Sequence, residues 1–130
     1  MTEQSYDGGS EFEPLPNSAI VYRALLRKQW VDWETGEIKF QAYLLRQNEE
    51  SLSVRIASTC TPQQCAARFR NCYGVASLQV GRIRELGLNV VPDSTSHANI
   101  VGLPHIEENP ATARRLADLL ARQSQLEWRP

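Results

Sequence analysis

The longest nearly uninterrupted apolar passage of the chain spans residues 73–93 and is divided by glycines at positions 74, 81 and 87. Apolar runs between glycines indicate buried elements, and β-branched residues within them favour strands. The pattern predicts a strand over 75–80, a helical turn over 81–86 and a second strand over 88–91. Gly87 is expected in the left-handed conformation that ends many helices. The hydrophobic core should therefore include this passage.

Length and composition are those of one ordinary globular domain. The chain has 130 residues, of which 42% are hydrophobic and 22% are charged, as is common in single-domain proteins. The net charge of −1 provides no general attraction to nucleic acid or to a membrane surface. No apolar run reaches the roughly 18 residues of a transmembrane helix. We therefore expect no membrane partner, and nucleic acid is not the favoured partner.

The first 18 residues differ from the rest of the chain. They contain four acidic residues and no Lys or Arg, and such a polar segment buries too little apolar surface to become ordered. We predict a flexible acidic N-terminal tail over 1–18 and a single globular domain over 19–130. The polar start does not resemble a secretory signal. The three cysteines, an odd number, suit reduced thiols, so we expect a cytoplasmic protein.

Alternating apolar residues predict further strands over 19–26, 38–45, 52–57 and 97–103. Thr61, Pro62 and Gln64 form a capping-box pattern that predicts a helix from residue 62 to about 71–74. Asn109 is placed to cap a second main helix over 111–123. We therefore predict a single α+β domain with a mixed or mainly antiparallel sheet of five to six strands and two main helices.

Polar residues interrupt three of the predicted strands. In the strand over 52–57 the alternation places Ser53 and Arg55 on the face opposite the apolar residues. Arg23 lies between apolar neighbours on the first strand, and His97 opens a strand after a polar loop. We predict that these side chains surround one cavity on the open side of the sheet and bind a ligand there: Arg23, Ser53, Arg55 and His97.

The chain lacks the common sequence signatures of catalysis. It contains no glycine-rich phosphate loop and no GxSxG elbow. The spacings among Cys60, Cys65 and Cys72 match no common zinc motif, so neither a metal site nor a cofactor is expected. These observations favour a non-catalytic cytoplasmic protein that binds a protein partner or a small molecule.

The chain also resembles a family of small uncharacterised bacterial proteins. The resemblance rests on the order of four short motifs followed by a helix near the end: Tyr22-Arg23, Leu52-Ser53-Val54, Tyr73-Gly74-Val75 and His97-Ala98-Asn99-Ile100. It covers most of the chain after residue 18. No activity is assigned to that family, so the resemblance implies a bacterial origin but no reaction.

A second resemblance is to ADP-ribosyltransferase-type folds. These folds place an arginine or histidine on an early strand and a serine on a later one, around a split sheet that holds NAD. Arg23 and Ser53 would occupy those positions, which implies an NAD-binding enzyme. The family also uses an acidic residue on a late strand, where this chain has no glutamate in residues 89–93 or 97–99. A third interpretation is a nucleic-acid-binding accessory protein that uses Arg82, Arg84 and the tryptophans Trp30 and Trp33.

Overall fold

Six strands form one antiparallel sheet in residues 12–130, the part of the chain that the computed structural model describes. In chain order, the strands are β1 (Ile20–Leu25), β2 (Leu52–Ile56), β3 (Gly74–Gln79), β4 (Asn89–Pro92), β5 (His97–Val101) and β6 (Gln125–Trp128). Their order in the sheet is β4-β5-β2-β1-β3-β6. The prediction of a single α+β domain is confirmed.

Three α-helices accompany the sheet within the same residues. They are α1 (Pro62–Ala67), α2 (Val80–Glu85) and α3 (Pro110–Gln123), and short 3-10 helices cover Lys28–Trp30, Phe40–Tyr43 and Ala57–Thr59. The capping box at α1 forms as predicted: Thr61 Oγ1 accepts from Gln64 N, and Gln64 Oε1 accepts from Thr61 N. None of the helices in residues 12–130 is both long and apolar enough to cross a membrane.

Three local predictions differ from the structure. Residues 38–45 were expected to form a strand, but their centre is the 3-10 helix Phe40–Tyr43. This helix packs on α3 and buries Ala42 and Tyr43, which are neighbours and could not both point inward from a strand. Helix α1 ends at Ala67, before the expected 71–74. The short edge strand β6 was not predicted.

The main core lies on one face of the sheet, beneath α3 and Phe40–Tyr43. Leu116, Ala117 and Leu120 of α3 are buried there against apolar side chains of the central strands. On the other face, α1 packs on β1, β3 and β6, where Cys65 and Ala66 contact Ala24 and Val75 in a smaller apolar cluster. Helix α1 therefore covers β1, β3 and β6 on this second face, whereas β2 and β5 carry polar side chains there.

The segment before β1 contacts the domain. Leu15 packs on the main core, and the carbonyl of Asn17 accepts from Gly81 N at 2.9 Å. A Cβ at position 81 would lie only 2.9 Å from the Cβ of Asn17, so the glycine permits this close approach. Of the predicted acidic tail over 1–18, residues 1–11 lie outside the part of the chain that the structure describes.

Candidate functional site

The pairing of β2 with β5 brings four polar residues together on the second face of the sheet. Ser53 lies directly opposite Asn99, and Arg55 lies directly opposite His97. Directly paired residues of antiparallel strands project to the same side. The neighbours Leu52, Val54 and Ile56 are buried on the core side. The alternation seen in the sequence is therefore the reason that this face carries polar groups.

A continuous row of hydrogen bonds connects these residues. The Ser53 hydroxyl is hydrogen-bonded to His97 Nε2. On the other side of the ring, His97 Nδ1 lies 2.7 Å from Asp93 Oδ1. Asn99 Nδ2 donates to the second carboxylate oxygen of Asp93 at 2.9 Å. We call these four side chains, Ser53, His97, Asp93 and Asn99, the polar row.

The ionisation of Asp93 determines how protons are arranged along the row. Partial burial of Asp93 opposes its ionisation, but hydrogen bonds from His97 and Asn99 outweigh this effect, and the pKa of Asp93 falls below its ordinary value. An ionised carboxylate only accepts, so the proton of a neutral His97 ring is on Nδ1. Nε2 is then the acceptor, and the Ser53 hydroxyl donates to it.

The turn between β4 and β5 fixes His97 and Asp93 relative to each other. Ser94 Oγ accepts from the backbone N–H groups of Ser96 and His97, at 3.2 and 3.0 Å. The His97 carbonyl accepts from the N–H of Asp93 at 3.0 Å. Short serine side chains that bind nearby backbone groups are typical of tight turns. The histidine and the carboxylate are thus held by local structure.

Access differs along the row. Ser53 is exposed, and the side chains of His97 and Asp93 are 21% and 52% exposed. The Ser53 end of the row is therefore open to solvent, whereas the imidazole is mostly covered. Arg55, partly exposed on the same face, donates from Nη1 to Ser96 Oγ at 3.2 Å. It places a positive charge next to the row.

Arg23 is the one predicted site residue that the structure places elsewhere. Val21 pairs with Ile56 on the core side of the sheet, and Arg23 follows Val21 by two residues on the same side. Its Nε donates to the carbonyl of Ala42 and its Nη1 to the carbonyl of Ser53, both at 3.0 Å. The side chains of Arg23 and Ser53 thus project from opposite faces, and Arg23 reaches only the backbone of Ser53.

The ladder between β1 and β2 stops next to Arg23. It pairs Val21 with Ile56 and Tyr22 with Arg55, whereas β1 pairs with β3 as far as Leu25. The Arg23 guanidinium bridges the two strands where this ladder ends. Desolvation is the main reason that the pKa of Arg23 is lowered, and the nearby Tyr43 and Glu49 oppose this effect.

Two members of the polar row were not among the predicted site residues. Asp93 lies in the turn before β5, and Asn99 is two residues after His97 on β5. The available signals were the four-residue separation of Asp93 and His97 and the alternation of His97 with Asn99. Both signals become specific only when the hairpin and its register are known.

The residues of the nucleic-acid interpretation do not form one surface. Trp30 is buried in the main core. Trp33 borders a surface depression of about 310 Å³ with Lys28, Tyr73 and Arg129. Arg82 and Arg84 border a different depression, of about 580 Å³, next to Asn17. The basic and aromatic residues are therefore divided among separate places.

The cysteines and histidines form no evident metal site. Cys60, Cys65 and Cys72 are free thiols, and burial raises the pKa of Cys65 to about 11, which disfavours its thiolate. Within residues 12–130, no group of three or more His, Cys, Asp or Glu side chains is arranged to hold a metal ion.

Comparison of the chain with protein-family models, with curated proteins and with solved structures finds no match. The polar row and Arg55 are the features of the described residues that bear on function.

Proposed function

We propose that the protein binds a small molecule, or an exposed group of a partner protein, at the polar row and Arg55. The observation that supports this is the preformed hydrogen-bond row from Ser53 to Asn99 on a face that α1 leaves open. Sites whose polar groups are already oriented bind with a smaller entropic cost. The absence of a transmembrane helix in the described residues and the free thiols accord with a cytoplasmic setting, which is part of this proposal.

The chemistry of the face favours a ligand with a carboxylate or phosphate group. Arginine carries five N–H donors in a planar fork that matches both groups, and Ser96 accepts from one nitrogen of Arg55. The negative charge of Asp93 is stabilised within the row by the hydrogen bonds from His97 and Asn99.

A thermal-shift screen of small carboxylates, inorganic phosphate and nucleoside monophosphates tests this proposal. A compound present at 100 times its Kd stabilises the folded state by about 2.7 kcal/mol. We expect at least one compound to raise the midpoint for the wild type and to lose this effect in Arg55→Met. Arg115→Met, which changes an exposed arginine on α3, is the matched control and should keep it. The proposal is wrong if every compound that shifts the wild type shifts Arg55→Met equally.

An NAD-binding, ADP-ribosyltransferase-like enzyme is the second candidate. It is supported by the early end of the ladder between β1 and β2, because such folds hold NAD at a split in the sheet. The position of Arg23 counts against it, since its guanidinium is engaged with two carbonyl groups on the core side. Release of nicotinamide from NAD by the wild type, and its loss in Ser53→Ala, would support this candidate. If NAD causes no thermal shift and no nicotinamide is released from it, this candidate is excluded.

A further inference from the structure

The order of groups in the polar row is the order found in nucleophilic serine sites. An exposed hydroxyl, Ser53 Oγ, contacts His97 Nε2. The opposite ring nitrogen contacts the Asp93 carboxylate at 2.7 Å. In such sites a base accepts the hydroxyl proton and a third group orients the base. The three side chains come from β2, from β5 and from the turn before β5, so the arrangement arises only in the folded sheet.

We propose that Ser53 is a nucleophile that accepts acyl groups from activated esters. This inference rests on the proposed function, because the same face would bind the ester. His97 would act as the general base, and Asp93 and Asn99 would be positioning residues. The proton arrangement derived above agrees with these roles, since a neutral His97 with its proton on Nδ1 leaves Nε2 free to accept.

Hydrolysis of an ester by this route consumes only the ester and one water molecule. Ser53 Oγ forms a bond to the ester carbonyl carbon while its proton passes to His97 Nε2. The tetrahedral intermediate then breaks the bond to the leaving group, which departs as an alcohol or phenol with the proton from His97. Water attacks the resulting acyl-Ser53 ester and gives a proton to His97. The carboxylic acid is released, and Ser53 recovers its proton.

Charge on the attacked carbonyl oxygen would be stabilised by Arg55. Residues two positions apart on a strand project to the same face, about 7 Å apart along the strand. The long Arg55 side chain can span such a distance, and its guanidinium offers several donors. The row is open to solvent, so small esters with good leaving groups are the substrate class that fits.

A fluorophosphonate probe tests whether Ser53 is activated. We expect intact-mass spectrometry to show one added phosphonyl group, peptide mapping to place it on Ser53, and Ser53→Ala to abolish it. In His97→Gln the labelling rate should fall by about 100-fold or more, as general-base catalysis contributes roughly 10²–10⁴-fold. Asp93→Asn should reduce the rate while circular dichroism shows a folded protein. Ser58→Ala, which removes another exposed serine, is the control and should label at the wild-type rate.

The two proposals can fail separately. Absence of a label on Ser53, or an equal labelling rate in folded His97→Gln, overturns the nucleophile even if a carboxylate or phosphate binds through Arg55. Labelling of Ser53 that depends on His97 supports the nucleophile. If it occurs without any Arg55-dependent ligand in the thermal-shift screen, the binding of anionic ligands is overturned instead. Hydrolysis of p-nitrophenyl acetate with the same dependence on Ser53 and His97 would show that the acyl-Ser53 ester turns over.

Discussion

Replacing Arg23 by Met should destabilise the protein by about 3 kcal/mol. Arg23 donates to the carbonyl of Ala42, a residue with no exposed surface, and to that of Ser53, each at 3.0 Å. Its guanidinium carbon also lies 5.7 Å from the centre of the Trp30 ring. Methionine approximates the apolar stem of the arginine and removes all three interactions. The substitution therefore isolates the role of the charged group.

The magnitude follows from the three contacts. A hydrogen bond from a charged donor contributes about 1.5–3 kcal/mol, and the Ala42 carbonyl would remain buried without this donor. Water can replace the donor at Ser53, which is exposed, so that contact should cost about 1 kcal/mol. The cation–π contact adds about 0.5–1 kcal/mol. Against these, Met avoids the desolvation of the guanidinium, which is the main cause of the lowered pKa of Arg23.

Urea unfolding followed by circular dichroism measures this loss. Arg115→Met should change the free energy of unfolding by less than about 0.5 kcal/mol, as is usual for exposed positions. Arg23→Lys should lie between the wild type and Arg23→Met, because a single ammonium group cannot reproduce the planar fork that reaches both carbonyls. A free energy of unfolding for Arg23→Met equal to that of the wild type would refute the reasoning. It would mean that desolvation of the guanidinium cancels its hydrogen bonds.

Three further predictions concern stability and can be checked by the same unfolding assay. Thr61→Ala removes the side-chain half of the α1 capping box and should cost about 1 kcal/mol, whereas Thr35→Ala in an exposed turn should cost less. Gly87 has a φ of +85° with open space around its Cβ position, so Gly87→Ala should cost about 1–2 kcal/mol through backbone strain and Gly87→Asn less. Burial raises the pKa of Tyr43 from 10.0 to about 12. The tyrosine of the unfolded chain ionises at lower pH than Tyr43 in the folded protein. The free energy of unfolding should therefore keep the full contribution of Tyr43 below pH 10 and fall by up to about 1.4 kcal/mol per pH unit between pH 10 and 12. In Tyr43→Phe that part of the alkaline loss should be absent, and identical pH profiles for the two proteins would contradict the assigned cause.

The sequence predicts elements well where local chemistry decides them. The alternation in Leu52–Ile56 and the capping residues Thr61 and Gln64 on either side of Pro62 concern neighbouring residues, and both features appear as expected. Residues 38–45 alternate too, but packing against α3 selects a 3-10 helix at Phe40–Tyr43 instead. That contact is between segments about 75 positions apart in the chain, so the local sequence pattern could not predict it.

The candidate site illustrates the same division. The alternation correctly separates the face of Ser53 from that of Val54, and it already places Arg23 with Val21 and Leu25. What it lacks is the register between β1 and β2, which shows that the faces of Arg23 and Ser53 are opposite. Asp93 joins the row because a turn folds it back beneath His97. The proximity of Ser53 to His97 depends on the pairing of β2 with β5.

The polar row is assembled from contacts of very different range, which has a consequence for folding kinetics. Asp93 and His97 are separated by four positions within one hairpin, whereas Ser53 and His97 are separated by 44. Hairpins form in about 1–10 µs, while long-range strand pairing is slower. During refolding the imidazole and carboxylate can therefore meet long before the hydroxyl arrives. If Ser53 is activated by His97 as proposed, the time at which Ser53 becomes reactive during refolding would report when β2 pairs with β5.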